Sequence, residues 1–135
     1  MIEEEANVFK IYISHLKQEN DEHELFLSKL YASTEFNWEN CALTSENDIE
    51  DIMEHMKPAD SVVILSGLIG KDKDFLTLQI DAAGKLKKPI VVVRPYGMEN
   101  IPNNLEQIAA TVVGWNTPCI VDAILESMGV EEDFV

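Results

Sequence analysis

Short apolar runs and helical stripes alternate along this chain. Residues 7–14 and 61–66 are mostly β-branched or aromatic, and each run is too short for a helix. Similar runs follow at Ile90–Val93 and Thr111–Val113, and Phe36–Trp38 indicates a shorter extended segment. The pattern predicts five strands. The run at 61–66 (SVVILS) is typical of a strand that is covered on both faces, because its apolar core is unbroken.

The segments between these strands have apolar residues at helical spacing. After polar residues 18–22, apolar residues return at helical spacing and predict a first helix ending near Ala32. A capping-box pattern, Ser45 with Asp48, precedes a second helix that Pro58 ends. Three more helices are predicted: residues 72–87 before Pro89, Asn103–Ile108, and Pro118–Ser127 with Thr117 as its N-cap and Gly129 past its end.

This alternation predicts one α/β domain over residues 1–135, with acidic ends at about 1–6 and 130–135. Right-handed crossovers favour a flavodoxin-like three-layer sandwich, with five parallel strands in the order 2-1-3-4-5 and helices on both faces. Ligands of such sheets bind at the carboxyl ends of the strands, near the point where the strand order reverses. The loops that begin at Ser14 and Ser66 are therefore the candidate binding loops.

The charge balance narrows the class of partner. Ten basic and 25 acidic residues give a formal charge of −15, which repels nucleic acid and anionic membrane surfaces. We therefore expect neither as a partner, and a phosphate-bearing ligand would need local backbone donors or helix N-termini. The first residues lack both a basic start and an apolar run, so we expect a cytoplasmic protein.

Several chemistries that this fold supports do not fit the residues. Cys41 and Cys119 have no CxxC spacing, which favours reduced thiols, and the three histidines are too scattered to predict a metal site. Aspartyl phosphorylation needs acidic residues where Ser14, His15 and Ser66 stand. Flavin binding of the flavodoxin kind needs a phosphate loop after strand one, and the sequence has none.

Five stretches of the sequence carry a family resemblance. They are FKIYISH (9–15), FNW (36–38), PADSVVILSG (58–67), KPIVVVRPYG (88–97) and VGWNTPCIVDAI (113–124). In this order they resemble the TIR-like domain of the Thoeris ThsB family, and RPYG followed by VGWNT is the most specific part. The matches span most of the chain.

The resemblance implies an antiphage signalling enzyme, an NAD⁺ glycohydrolase or cyclase. Such an enzyme senses infection, in some cases through a phage-derived trigger protein, and converts NAD⁺ into an ADP-ribose-derived second messenger. That diffusible nucleotide activates a separate effector protein. NAD⁺ is thus the substrate, no cofactor is implied, and assembly into a homo-oligomer is common in such enzymes.

The resemblance also implies a catalytic glutamate in the helix after strand three. Carried onto this chain, the aromatic residue of that helix falls at Phe75 and the glutamate position holds Gln79. An amide lacks the charge that stabilises an oxocarbenium-like ribose, so we expect turnover impaired on the order of hundred-fold. With Gln79 in the catalytic position, the substrate-binding candidates are Ser14, His15, Trp38, Ser66, Gly67 and Phe75.

An alternative is a noncatalytic flavodoxin-like module that binds a protein or a nucleotide. Gln79 is then an ordinary helix residue, because glutamine is a good helix former. Trp38 and Trp115 allow two interpretations, since tryptophans either stack on a ligand ring or pack in the core. We expect Trp115 to be structural, and saturable binding of NAD⁺ would separate the two hypotheses.

Overall fold

The computed structural model describes residues 8–18, 20–32, 37–42, 48–94, 107–114 and 117–129. Its strands are β1 (Phe9–Ile13), β2 (Trp38–Asn40), β3 (Ser61–Leu65), β4 (Ile90–Val93) and β5 (Thr111–Val113). Its helices are α1 (Asp21–Tyr31), α2 (Ile49–Met56), α3 (Lys73–Lys85) and α4 (Thr117–Ser127), and a 3-10 turn at Ser66–Leu68 follows β3.

The five strands form one parallel sheet in the order β2-β1-β3-β4-β5, which confirms the predicted flavodoxin-like arrangement. Ile13 is in register with Val63, and Leu65 with Val93. Because neighbouring strands run the same way, the loops after β1, β3 and β4 leave from one edge of the sheet. We call this the carboxyl edge.

The core lies between the sheet and its two helical layers. Every residue of β3 and β4 is buried, as their unbroken apolar sequence predicts. Helix α2 packs beside α3, and α1 beside α4, so helices cover both faces of the sheet. Full burial of one valine, leucine or isoleucine side chain contributes roughly 1.5–3 kcal/mol, so these two strands contribute substantially to stability.

Helix α1 begins earlier than the apolar spacing predicts. The Asn20 side chain caps it by accepting a hydrogen bond from the His23 backbone N–H at 3.1 Å. Asp21, Glu22 and Glu24 occupy its first turn, where carboxylates interact favourably with the helix dipole. Part of the polar stretch at 18–22 is therefore helical, and the prediction that the helix follows it was wrong. This difference places Glu22 and His23 at the carboxyl edge.

The second helix is capped by a different residue from the one predicted. Asp48 is its N-cap, and the Asp48 carboxylate accepts from the Asp51 N–H at 3.0 Å. Ser45 of the predicted capping box lies outside the described residues. The helix ends at Met56, two residues before Pro58, because proline has no backbone N–H with which to continue the helical hydrogen bonds.

Helices α3 and α4 agree closely with prediction. Asp72 caps α3 by accepting from the Phe75 N–H at 3.1 Å, and the helix ends at Lys85, before the predicted end at 87. Lys87 has a φ of 58°, a left-handed conformation that cannot continue the helix. Helix α4 begins at Thr117, one residue before the predicted start at Pro118. Gly129 lies past its end with a φ of 78°.

Some predicted features fall outside the described residues. They are Phe36, most of the Asn103–Ile108 helix, Trp115, the PYG residues 95–97 and both acidic ends.

Candidate functional site

Gln79 lies at the carboxyl edge, against the loop that leaves β1. Its Oε1 accepts a hydrogen bond from the His15 backbone N–H at 3.0 Å, and its Nε2 donates to the His15 carbonyl at 2.9 Å. The Nε2 group also contacts the Phe75 carbonyl at 3.3 Å. Gln79 is fully buried, so in this conformation its amide holds the β1–α1 loop and does not face solvent.

Ser14 and Ser66 also make structural hydrogen bonds at this edge. The buried Ser14 Oγ accepts from the Leu65 N–H at 2.8 Å and so joins the ends of β1 and β3. The Ser66 hydroxyl donates to the Val93 carbonyl at 3.3 Å and joins β3 to β4. Ser14 thus holds the two predicted binding loops together, and Ser66 ties the second of them to β4.

His15 is buried beside Phe75. Its Nδ1 lies 3.0 Å from the Leu16 carbonyl, which only accepts, so Nδ1 carries the proton. Its Nε2 lies 3.5 Å from the Tyr12 hydroxyl. The His15 ring meets the Phe75 ring edge-on, with centroids 5.4 Å apart. Four of the predicted residues, His15, Ser14, Phe75 and Gln79, therefore share one buried cluster.

Trp38 does not join this group. It is the first residue of β2 and is in register with Phe9, the first residue of β1, so it lies at the opposite end of the strands. The Trp38 ring stacks on Tyr31 with centroids 4.4 Å apart and is only 7% exposed. The structure therefore gives Trp38 a packing contact at the amino edge and not a place beside the candidate binding loops.

Gly67 contacts the carboxylate of Glu22, a residue that the sequence did not indicate as part of the site. The carboxylate of Glu22 rests on Gly67 so closely that a β-carbon there would lie 2.5 Å from Glu22 Oε2. Glu22 Oε2 is buried, and it has no hydrogen-bond partner among the residues that the structure describes. Burial raises the pKa of the Glu22 carboxyl, and the charge of Lys71 acts in the opposite direction.

His23 adjoins this carboxylate in the first turn of α1. Its ring lies 6.3 Å from that of His15, and its Nε2 is buried without a hydrogen-bond partner in the described part of the chain. Burial, aided by the charge of His15, lowers the pKa of His23 to about 4. His23 is therefore neutral at physiological pH, and its Nε2 donates or accepts according to the tautomer of the ring.

Basic residues also lie at this edge, although the chain as a whole is acidic. Lys17 places its Nζ 5.2 Å from the centroid of the Phe75 ring, and Lys71 is close enough to Glu22 to act on its pKa. Arg94 follows β4, and its backbone N–H donates to the Val113 carbonyl at 2.9 Å. Such local cations offset the long-range repulsion that a phosphate would meet from a net charge of −15.

The thiols take no part in this edge cluster. Cys41 follows β2 and is half-buried, which raises the pKa of its thiol, and Cys119 is exposed on α4. Neither cysteine is in a disulfide. Within the described ranges, no three histidine, cysteine, aspartate or glutamate residues are grouped as a metal site requires. Among those same residues, no helix is long and apolar enough to cross a bilayer.

Comparison with models of known protein families, and with curated proteins, gives no match to this chain. The resemblance to the TIR-like domain therefore rests on the sequence stretches quoted above.

The arrangement divides the carboxyl edge into two parts. The polar side chains of Ser14 and Gln79 are engaged with backbone groups and have structural roles. Glu22 and His23 offer a carboxylate and a neutral imidazole, each with one buried atom that bonds to no described residue. Chemically, this second part can accept hydrogen bonds from a ligand. The sequence lacked a strong signal for it, apart from the capping Asn20 and the acidic first turn.

Proposed function

We propose that this chain is a cytoplasmic TIR-like signalling domain that binds NAD⁺ at the carboxyl ends of β1 and β3 and cleaves it only slowly. In the function that the resemblance implies, cleavage makes an ADP-ribose-derived messenger that activates a separate effector. The observation that carries the proposal is the position of Gln79. It lies against the β1–α1 loop at the switch point of the sheet, where the resemblance expects the catalytic glutamate.

Slow cleavage follows from the chemistry of the amide. Loss of nicotinamide from NAD⁺ develops positive charge on the ribose, which a carboxylate stabilises and a neutral amide does not. The amide of Gln79 is moreover occupied by hydrogen bonds to the backbone of His15 and Phe75. A ligand would reach it only if the β1–α1 loop moved.

The test combines NAD⁺ titration calorimetry of the unmodified protein with nicotinamide release by Gln79→Glu. An ionised glutamate cannot donate to the His15 carbonyl, so ionisation of the variant would release the loop and turn the carboxylate elsewhere. We expect saturable binding by the unmodified protein and nicotinamide release roughly hundred-fold faster in the variant. The matched control is Asp81→Asn on the exposed side of α3, which should leave both measurements unchanged.

Two results together would overturn this proposal. They are the absence of saturable NAD⁺ binding by the unmodified protein and the absence of nicotinamide release by a folded Gln79→Glu variant. Circular dichroism would establish that the variant is folded.

A second candidate function is a noncatalytic interaction module. It is favoured by one observation: the three hydrogen bonds of the buried Gln79 amide all join backbone groups, which accounts for a glutamine without any ligand. On this hypothesis, Gln79→Glu lowers the free energy of unfolding and gains no activity.

A further inference from the structure

One carboxylate at the carboxyl edge, that of Glu22, lacks a hydrogen-bond donor for its buried oxygen among the described residues. Glu22 Oε2 is buried without a donor among the described residues, and Gly67 is the residue that makes room for it. Glu22 as a residue is only partly buried. A rotation of its flexible side chain would therefore present the carboxylate to a ligand at the carboxyl edge.

Burying an acceptor without a donor costs free energy, and the cost is larger for a charged group. A glutamate at this position is therefore destabilising unless something donates to it. The neighbouring His23 Nε2 is in the same condition. Two unpaired polar atoms lie in one helical turn, at the edge where ligands of this fold bind, and the carboxylate oxygen among them can only accept, which indicates a ligand that carries hydrogen-bond donors.

We propose that Glu22 accepts hydrogen bonds from the vicinal hydroxyls of a ribose, and that Gly67 is the residue whose missing side chain allows this. The inference rests on the proposed binding of NAD⁺, and it names the residue that holds one of the sugars. A carboxylate has two oxygens that match two adjacent hydroxyls, and acidic residues bind ribose hydroxyls in other nucleotide-binding α/β domains. The nearby Lys71 would suit the phosphates that accompany the sugar.

A bound divalent cation is the competing explanation for an unpaired carboxylate. It is less well supported, because the described residues contain no group of three histidine, cysteine, aspartate or glutamate ligands. NAD⁺ affinity measured with and without EDTA distinguishes the two. Affinity that falls when EDTA is added would contradict direct recognition of the hydroxyls by Glu22.

The first experiment is calorimetric titration of NAD⁺ into the unmodified protein, Glu22→Gln and Glu24→Gln. Glu24 is two residues further along the same helix and exposed, so it controls for the loss of one charge. We expect Glu22→Gln to weaken binding roughly tenfold to hundredfold, as loss of charge-assisted hydrogen bonds does, and Glu24→Gln to have no effect. Equal affinities for Glu22→Gln and the unmodified protein would overturn this inference and leave the proposed function intact. Absence of binding by the unmodified protein would overturn this inference, and together with absence of nicotinamide release by a folded Gln79→Glu variant it would overturn the proposed function as well.

The second experiment tests the contact with Gly67. In Gly67→Ala the added β-carbon would displace the Glu22 carboxylate, whose flexible end can move without unfolding the chain. We expect a folded protein with NAD⁺ affinity reduced about as much as in Glu22→Gln. NAD⁺ analogues without the 2′,3′-hydroxyls on one ribose or the other complete the test. The analogue that lacks the hydroxyls bound by Glu22 should bind the unmodified protein and Glu22→Gln with equal affinity. If Glu22→Gln weakened the binding of both analogues as much as it weakens the binding of NAD⁺, the inference would be contradicted.

Discussion

Two neighbouring parts of the carboxyl edge treat their buried polar groups in opposite ways. Around Gln79, the side-chain amide and both backbone groups of His15 are paired at 2.9–3.0 Å. Around Glu22, a carboxylate oxygen and the Nε2 of His23 are buried without a partner among the described residues. The buried polar groups around Gln79 are therefore hydrogen-bonded to one another, whereas two buried polar atoms around Glu22 have no partner among the described residues.

This difference separates a structural role from a binding role. A buried polar group whose hydrogen bonds are complete stabilises the fold and gains little from a ligand. A group left without partners lowers stability, so it is the better candidate for ligand contact. The predictions below test whether the two parts differ in this way.

The largest expected effect is on the Gln79 part. Gln79→Leu keeps the size of the side chain and removes the two hydrogen bonds that Gln79 makes to the buried N–H and carbonyl of His15. We expect the free energy of unfolding to fall by roughly 3 kcal/mol, measured by urea denaturation. Asp81→Ala, on the exposed side of the same helix, should change it by less than about 0.5 kcal/mol. A loss no larger than that of the control would mean that this hydrogen-bonded part is not structural.

Ser14→Ala should have a smaller effect in the same direction. It removes the acceptor of the buried Leu65 N–H. One hydrogen bond to the backbone is lost in this variant, whereas Gln79→Leu loses two to the backbone of His15. We expect a loss of about 1–2 kcal/mol in urea denaturation. The exposed Ser28→Ala on α1 is the control, and if both variants were equally stable, the Ser14 hydroxyl would not be holding β1 to β3.

Acid should weaken the fold through His23. In the folded state its pKa is lowered to about 4, so the unfolded chain takes up a proton there at higher pH than the folded chain does. This contribution is present above the ordinary histidine pKa near 6.5 and is lost as the pH falls towards 4. Urea midpoints measured across this window should fall less in His23→Gln than in the unmodified protein. Parallel curves would contradict the burial of a neutral His23.

The smallest effect is expected at Glu22, and it has the opposite sign. Its pKa is raised by burial, so its favourable contribution is present at low pH and is lost as the pH rises and the carboxyl ionises. Glu22→Gln should therefore slightly raise the urea midpoint at pH 7 without ligand, and Glu24→Gln should not. A lower midpoint in Glu22→Gln would show that the carboxylate already has a stabilising partner in the unliganded protein.

The sheet was predictable because its determinants are local. The unbroken apolar runs of β3 and β4 and the helical stripes between strands leave few ways to cover both faces. Apolar periodicity predicts a later start for α1 because the capping side chain of Asn20 and the acidic first turn lie outside the apolar pattern. Local capping chemistry decided that boundary.

The candidate site was predictable in position and not in detail. Strand order alone brings the loops after β1 and β3 together, and Gln79 was expected beside them. Its pairing with His15 joins residues 64 positions apart, and the contact of Glu22 with Gly67 depends on how α1 packs. No spacing rule encodes either contact, because each requires the folded backbone to place two distant segments.

The long sequence separation between His15 and Gln79 has a consequence for biosynthesis. The chain leaves the ribosome from its N-terminus, and the partner of the His15 backbone emerges 64 residues later. Until α3 is made, the nascent protein lacks the amide that bonds to both backbone groups of His15. The last hydrogen bonds of the β1–α1 loop therefore form well after the loop itself has been synthesised.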